Sequence, residues 1–165
     1  MTELRGERVV LRPMEPDDAP RLREILATPE VAKWWGPEPE DFPFGHDPGV
    51  TRFALLVAGE VSGLVQWDEE KEPDFRHAWI DLFVEPRLRG QGFGTDAVAT
   101  LARHLLDERG HHRITIDPAA DNTAAIRCYE KAGFRPVGVL RSGWRNPEGH
   151  WRDQLLMELV RPPAH

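Results

Sequence analysis

The stretch from Val84 to Thr95, VEPRLRGQGFGT, is the part of the sequence whose residue types and spacing most directly suggest chemistry. Its three glycines alternate with other residues, and Arg89 precedes them. Glycines let backbone N–H groups approach a ligand closely, and an arginine beside a helix N-terminus adds positive potential, so the pattern favours a bound diphosphate. Tight packing of a strand against a helix also explains the glycines, and the spacing alone leaves both interpretations open.

Two other phosphate-binding motifs do not match this stretch. No lysine follows the last glycine as in a P-loop, and Thr95 stands where a dinucleotide-binding fold has its third glycine. Coenzyme A therefore remains the best candidate for the anionic ligand.

Two segments of the chain resemble the motifs of one enzyme family. Val84 to Gly94 has the spacing V-x-P-x-x-R-G-Q-G-F-G, which resembles the acetyl-CoA signature of the GNAT superfamily of N-acetyltransferases. Asn122 to Phe134, NTAAIRCYEKAGF, resembles a later motif of that family, N-x-x-A-x-x-x-Y-x-K-x-G-F. The resemblance implies an enzyme that moves an acetyl group from acetyl-CoA directly to a primary amine within a ternary complex.

The same resemblance assigns roles to individual residues. The loop amides are expected to bind the pyrophosphate of acetyl-CoA, and the preceding strand to open at a bulge so that its backbone pairs with the pantetheine arm. Tyr129 is expected to protonate the departing thiolate, although a tyrosine on a helix can simply pack in the core. The implied coenzyme contacts are Phe83, Val84, Arg89, Gly90, Gln91, Gly92, Phe93, Gly94, Thr95, Asn122, Ala125 and Tyr129.

Acetylation of an alkyl ammonium, whose pKa is near ~10, requires a group that accepts its proton. In the strand IDLFV, Ile80, Leu82 and Val84 share one face and leave Asp81 on the other, an unusual place for a charge. Asp81 is therefore the candidate general base, and pairing with an arginine is the alternative. Asp117 ends the next strand beside the coenzyme cleft and is the candidate for binding a cationic acceptor, with capping of the following helix as its alternative.

Several segments resemble the aminoglycoside 6′-N-acetyltransferases, a GNAT branch that inactivates antibiotics. They are the double tryptophan in VAKWWG, the Ile-Asp before the coenzyme loop, and the run from Ile116 to Phe134. The resemblance implies that Trp34, Trp35, Asp81 and Asp117 contact the acceptor. Aromatic faces suit sugar rings and ammonium groups, although tryptophans at a helix end are also typical of a core or a lid hinge. A GNAT enzyme for protein N-termini or other small amines, and a non-catalytic coenzyme-A-binding module, remain alternatives.

These residues must be positioned by an α/β fold. The hydrophobic periodicity and the Gly and Pro positions predict a single domain over 1–165, a GNAT fold whose mixed sheet of about six to seven strands has helices on both faces. Gly36 to Gly49 predicts a mobile surface loop, a candidate substrate lid. Strands are predicted at 7–13, 52–58, 61–67, 78–84, 113–117, 134–140 and 154–160, and helices from Asp17 or Asp18, after Pro29, at 92–109 and at 122–132.

Composition excludes several other classes of function. A net charge of −7 disfavours a nucleic-acid partner and suits a cationic small-molecule amine. The single cysteine, Cys128, cannot form an internal disulfide, and no histidine motif is placed to activate it, so it is assigned no chemistry. No zinc-ligand spacing occurs, and hence no metal is predicted. The chain has neither a membrane-length apolar run nor a signal-peptide core, so the cytoplasm is the expected location, and analogy with relatives suggests a homodimer.

Overall fold

One mixed β-sheet forms the frame of the protein in a computed structural model that describes residues 2–45 and 47–162. Its eight strands lie in the order β1-β2-β3-β4-β5-β6-β8-β7. The strands are β1 (Leu4–Arg5), β2 (Val9–Pro13), β3 (Thr51–Val57), β4 (Glu60–Glu70), β5 (His77–Val84), β6 (Arg113–Ile116), β7 (Arg135–Arg145) and β8 (Trp151–Val160).

The sheet opens at its one parallel junction, between β5 and β6. All other neighbouring strands are antiparallel, whereas β5 and β6 run parallel and pair only at Ala78–Ile114 and Trp79–Thr115. Beyond these two pairs the strands separate, so the C-terminal half of β5 has a paired edge toward β4 and an open edge toward β6. The sheet therefore contains the opening that the sequence motifs imply.

Four helices cover the two faces of the sheet: α1 (Ala19–Leu26), α2 (Pro29–Trp35), α3 (Phe93–Asp107) and α4 (Thr123–Lys131). The helices α3 and α4 pack against one face. Their buried side chains, which include Ala97, Leu101, Leu105 and Tyr129, join Ile80 and Ile114 of the strands in the main core. Burial of these apolar groups is the principal term that stabilises such a layer.

The other face carries α1, α2 and part of the predicted lid. Leu22 and Ile25 of α1 pack with Val31 of α2 and with Phe83 of β5. Phe42, within the segment 36–49, is only 4% exposed and belongs to the same cluster. The prediction of a surface loop is therefore wrong at Phe42, because its aromatic ring fills this second core; residue 46 of the segment lies outside the described residues.

The α/β fold is confirmed, and the sheet is larger than expected. It has eight strands instead of six to seven, because the two-residue strand β1 pairs with β2 through Leu4–Leu11. The last two strands also extend further than predicted and form a long hairpin from 135 to 160. Its strand β7 is an edge of the sheet that exposes Val137 and Val139; the homodimer stays a prediction.

The length and hydropathy of the helices bear on the expectation that the chain has no membrane-length apolar run. None of the helices in the described part of the chain is long and apolar enough to span a membrane.

Candidate active site

A cleft of about 390 Å³ lies where β5 and β6 separate. It is bounded by the C-terminal half of β5, the loop before α3, one side of α4 and the end of α2. All the predicted coenzyme contacts except Gln91 line it. Trp34 and Trp35 line it as well, whereas Asp81 and Asp117 are not among its lining residues. Sequence reasoning missed further lining residues, which include Glu30, Leu82, Arg127, Cys128 and Lys131.

The loop before α3 has the backbone geometry of an anion-binding turn. Gly90 and Gly92 have φ values of +73° and +85°, which residues other than glycine rarely adopt. Gly92 is also the N-cap of α3, so the free N–H groups of the first helical turn point toward the cleft mouth. Gly94 has a different role, since a Cβ there would lie 3.2 Å from Cys128 Sγ of α4. The glycines thus serve both functions that the sequence left open.

Gln91 does not contribute its side chain to the cleft. Its Nε2 donates to the carbonyl of Arg87 at 3.3 Å, and its backbone carbonyl accepts a hydrogen bond from the Arg8 side chain. Of the Gln91 groups, only the backbone N–H is then available for the predicted coenzyme contact.

The open edge of β5 offers backbone donors to a ligand. The Glu85 N–H donates to Ser62 O on the β4 side at 2.7 Å. Because successive strand residues direct their N–H groups to opposite edges, those of Leu82 and Val84 point toward the opening. The Leu82 N–H donates to Asp81 Oδ1 at 2.9 Å, which leaves the Val84 N–H for an extended ligand such as pantetheine.

Three cationic side chains surround the cleft. Arg89 comes from the loop before α3, whereas Arg127 and Lys131 lie one turn apart on α4. A protein with a net charge of −7 thus concentrates positive charge at the site expected to hold the phosphates. The spacing of Arg127 and Lys131 on one helix face could have identified them, because residues four apart share a face.

The beginning of α4 positions the middle of the cleft. Asn122 caps the helix by accepting the Ala125 N–H on its Oδ1 at 3.2 Å. The Thr95 hydroxyl donates to the Cys128 carbonyl at 3.2 Å and also lies 3.4 Å from its Sγ. Burial raises the pKa of the Cys128 thiol, so the nucleophilic thiolate is disfavoured. The cysteine therefore lacks the property that an acyl-cysteine mechanism requires.

Tyr129 is the buried phenol of the cleft. Its side chain is 7% exposed and its ring belongs to the main core, yet its hydroxyl has no hydrogen-bond partner among the described residues. Burial raises its pKa well above the usual value, and the nearby Asp81, Cys128 and Asp117 add to the rise. The hydroxyl is protonated at neutral pH, as an ordinary phenol also is, and can therefore donate its proton. The alternative of a hydroxyl satisfied within the core finds no partner here.

Asp81 lies on the floor of the opening, on the face opposite Ile80. Asp81 as a whole residue is exposed to solvent, but neighbouring protein atoms remove part of the water from its carboxylate. This loss of hydration raises the pKa of Asp81 to about 7; the Leu82 N–H opposes the rise, and the Asp117 and Glu38 carboxylates add to it. No arginine pairs with Asp81 among the described residues. A carboxyl group that titrates near neutral pH can accept a proton from an amine.

Two further carboxylates lie near Asp81. Trp79 of β5 pairs with Thr115 of β6. Two residues further along each strand, the same register places Asp117 beside Asp81 across the opening. Burial raises the pKa of Asp117, and its side chain does not cap α4, whose N-cap is Asn122. Glu38 is held by a 2.7 Å hydrogen bond from Trp35 Nε1. The three groups make the region beside the cleft acidic, which suits a cationic molecule.

The two predicted tryptophans have different surroundings. Trp35 packs edge-on against Phe83, with ring centroids 4.9 Å apart. Trp34 meets Trp144 of the β7–β8 hairpin, with ring centroids 6.5 Å apart. A Cβ on Gly36 would lie 3.9 Å from Pro147 of the same hairpin. The end of α2 and the hairpin therefore touch and leave no open groove between Trp34 and Trp144.

A second depression, also about 390 Å³, lies away from these groups, between the start of α4 and β8. Its carboxylates are already engaged: Asp121 pairs with Arg152 at 3.2 Å, and Asp153 accepts the Ser142 N–H at 2.9 Å. It contains neither Tyr129 nor the coenzyme loop, so the cleft at the β5–β6 opening is the candidate active site.

The fold and the cleft define a class of enzyme. A family model for the acetyltransferase (GNAT) domain matches residues 8–135, and the chain belongs to this family. It is an acetyl-CoA-dependent N-acetyltransferase. The positive-φ glycines, the open strand edge and the basic rim described above fit an extended donor that ends in phosphates. Among the described residues, no group of three or more metal-binding side chains comes together.

Individual relatives in this family act on different amines. The chain is 32% identical over 158 residues to the aminoglycoside N(6′)-acetyltransferase type 1 of Klebsiella pneumoniae. The aligned region covers 82% of this chain and 78% of that protein. It is 27% identical over 141 residues to the spermidine N(1)-acetyltransferase of Escherichia coli K12, with coverage of 80% and 75%. A crystal structure of AAC(6′)-Ib with coenzyme A and kanamycin superposes with a TM-score of 0.74 at 28% identity, covering 93% of this chain and 95% of the other.

Proposed function

We propose that this enzyme transfers the acetyl group of acetyl-CoA directly to a primary amine of an aminoglycoside in a ternary complex. The observation that carries the acceptor is the group of carboxylates beside the cleft. Asp81, Asp117 and Glu38 suit a compact polycation. The ring centroids of Trp34 and Trp144 lie 6.5 Å apart, so an extended peptide would find no open groove between these two residues. The similarity to aminoglycoside acetyltransferases supports the same acceptor.

In the proposed mechanism, the amine binds as an ammonium between the carboxylates and loses a proton to Asp81, directly or through one water. The neutral nitrogen then forms a bond to the thioester carbonyl carbon, and the C–S bond breaks. The Tyr129 hydroxyl donates its proton toward the departing thiolate, and the second proton, which the acylated nitrogen must lose, restores the phenol through solvent. The donor supplies the activated acetyl group; the protein supplies proton transfer, orientation and an acidic pocket.

A panel of acceptors tests this proposal through the release of the coenzyme A thiol. We expect turnover with kanamycin and neomycin and much slower turnover with short peptides. Neomycin and paromomycin form a matched pair, since they differ in carrying an amine or a hydroxyl at the 6′ position. Turnover of neomycin alone places the acceptor at that amine. Turnover on peptides alone would contradict the acceptor assignment, as would silence on every aminoglycoside of the panel.

A polyamine is the second candidate acceptor. The similarity to the spermidine acetyltransferase favours it, and a linear polycation also matches an acidic pocket. An aminoglycoside differs by presenting sugar rings, which stack on indole faces such as that of Trp34. Turnover with spermidine, and none with aminoglycosides, would select the polyamine.

The rate is expected to depend on pH through Asp81. Its pKa is raised to about 7, and the carboxylate must be deprotonated to accept a proton, so kcat/KM should rise as the pH increases through about 7. The bound ammonium stabilises the carboxylate, so the corresponding limb in kcat should lie at lower pH. Initial rates from pH 5 to 9 measure both profiles. A rate independent of pH between about 6 and 8 would contradict Asp81 as the base.

A further inference from the structure

The coenzyme loop is fixed from outside by the turn between β1 and β2, a segment about 90 residues away in sequence. Asp96, in the first turn of α3, accepts three backbone N–H groups of that turn. They come from Glu7 at 3.1 Å, Arg8 at 2.8 Å and Val9 at 3.0 Å. The turn therefore occupies a defined position at the N-terminus of α3.

From this turn the Arg8 side chain reaches back onto the loop. Its guanidinium lies 4.4 Å from the centroid of the Phe93 ring and donates to the Gln91 carbonyl. Its Nη2 lies 2.7 Å from the place of a Cβ on Gly92. Arg8 thus contacts three consecutive residues of the loop, two of which line the cleft.

The charge of Arg8 has no anionic partner in the described part of the chain. None of the ion pairs found there includes Arg8, although the chain as a whole is acidic. A guanidinium without an anionic partner, beside backbone N–H groups at a helix N-terminus, attracts a diphosphate. Turning the Gln91 carbonyl outward also favours an inward direction for the neighbouring loop N–H groups.

We propose that Arg8 is a positioning residue for the donor: it holds the loop 90–93 in its anion-binding conformation and adds positive charge at the diphosphate of acetyl-CoA. This inference rests on the assignment of that loop to the diphosphate. It concerns donor affinity and leaves the acceptor end of the cleft unaffected.

Arg8→Gln tests the inference by calorimetric titration with coenzyme A, dephospho-coenzyme A and pantetheine. We expect roughly tenfold weaker binding of both nucleotide-containing ligands, the size of a charge-assisted contact. Pantetheine, which lacks the diphosphate, should bind both proteins equally. The loss should shrink as salt concentration rises, because the interaction is partly between charges.

Arg5→Gln is the matched control, since Arg5 lies on the same segment and its side chain is 73% exposed. It should leave all three affinities unchanged. Equal affinities of wild type and Arg8→Gln for coenzyme A would overturn the inference, as would a loss that includes pantetheine or is confined to the ligand with the 3′-phosphate. If wild type itself bound no coenzyme A, the donor-site assignment would fail instead. Arg8→Gln should keep the wild-type melting temperature, because Asp96 binds only backbone N–H groups of the turn and these remain in the variant. An unchanged melting temperature shows that the loss of affinity does not come from misfolding.

Discussion

Asp81→Asn is expected to lower kcat for amine acetylation by about 10²–10⁴-fold, the usual contribution of a general base. Asparagine has the same shape, and its Oδ1 can still accept the Leu82 N–H that Asp81 accepts at 2.9 Å. The substitution therefore removes basicity with little change of packing. Steady-state kinetics with the best acceptor measure the loss, and titration with coenzyme A should give an unchanged Kd.

Asp117→Asn is the matched control for this substitution. Asp117 lies beside Asp81 across the opening and shares its desolvated surroundings, but its proposed role is to bind the acceptor. We expect its replacement to raise KM for the acceptor more than it lowers kcat. The alkaline rise of the rate through about pH 7 should persist in Asp117→Asn and disappear in Asp81→Asn. If the rise through about pH 7 disappeared in Asp117→Asn and persisted in Asp81→Asn, Asp117 would be the base.

Tyr129→Phe is expected to lower kcat by about 10²-fold, because the thiolate would leave without a proton donor. The ring packs in the main core while the hydroxyl has no partner among the described residues, so phenylalanine should keep the fold intact. The melting temperature should be unchanged or slightly higher, since no hydrogen bond is lost. Single-turnover measurements isolate the chemical step from product release.

The control for Tyr129→Phe is Cys128→Ser, a change at the neighbouring residue of the same cleft. Cys128 has a thiol whose pKa is raised by burial, and it takes no part in the proposed mechanism. We expect Cys128→Ser to retain the rate of the chemical step within a few-fold. An unchanged rate in Tyr129→Phe would refute the assignment of the general acid, and a large loss in Cys128→Ser would reopen a covalent route.

The loop and helix that line the candidate coenzyme half of the cleft could be predicted from sequence because their determinants are local. Gly90 and Gly92 adopt positive φ values, which are accessible because these residues are glycines. Asn122 caps α4 by accepting the N–H of Ala125, three residues further along the chain. The two-residue alternation of β5 placed Asp81 on the face opposite Ile80, which belongs to the main core. Such features depend on neighbours in the chain, so a pattern of residue types determines them.

The acceptor half and the pKa values were decided only by the tertiary structure. Trp34 meets Trp144 and Arg8 meets Gln91 across long stretches of chain, and no local period encodes such contacts. The pKa of Asp81, about 7, is the sum of desolvation by everything packed around it and of charges that include Asp117. The sequence by itself determined the family fold, the donor and the strand face on which the proposed base lies. The acidic surroundings of Asp81, where we propose that the acceptor binds, arise from side chains that only folding brings together, because burial and electrostatic fields depend on three-dimensional surroundings.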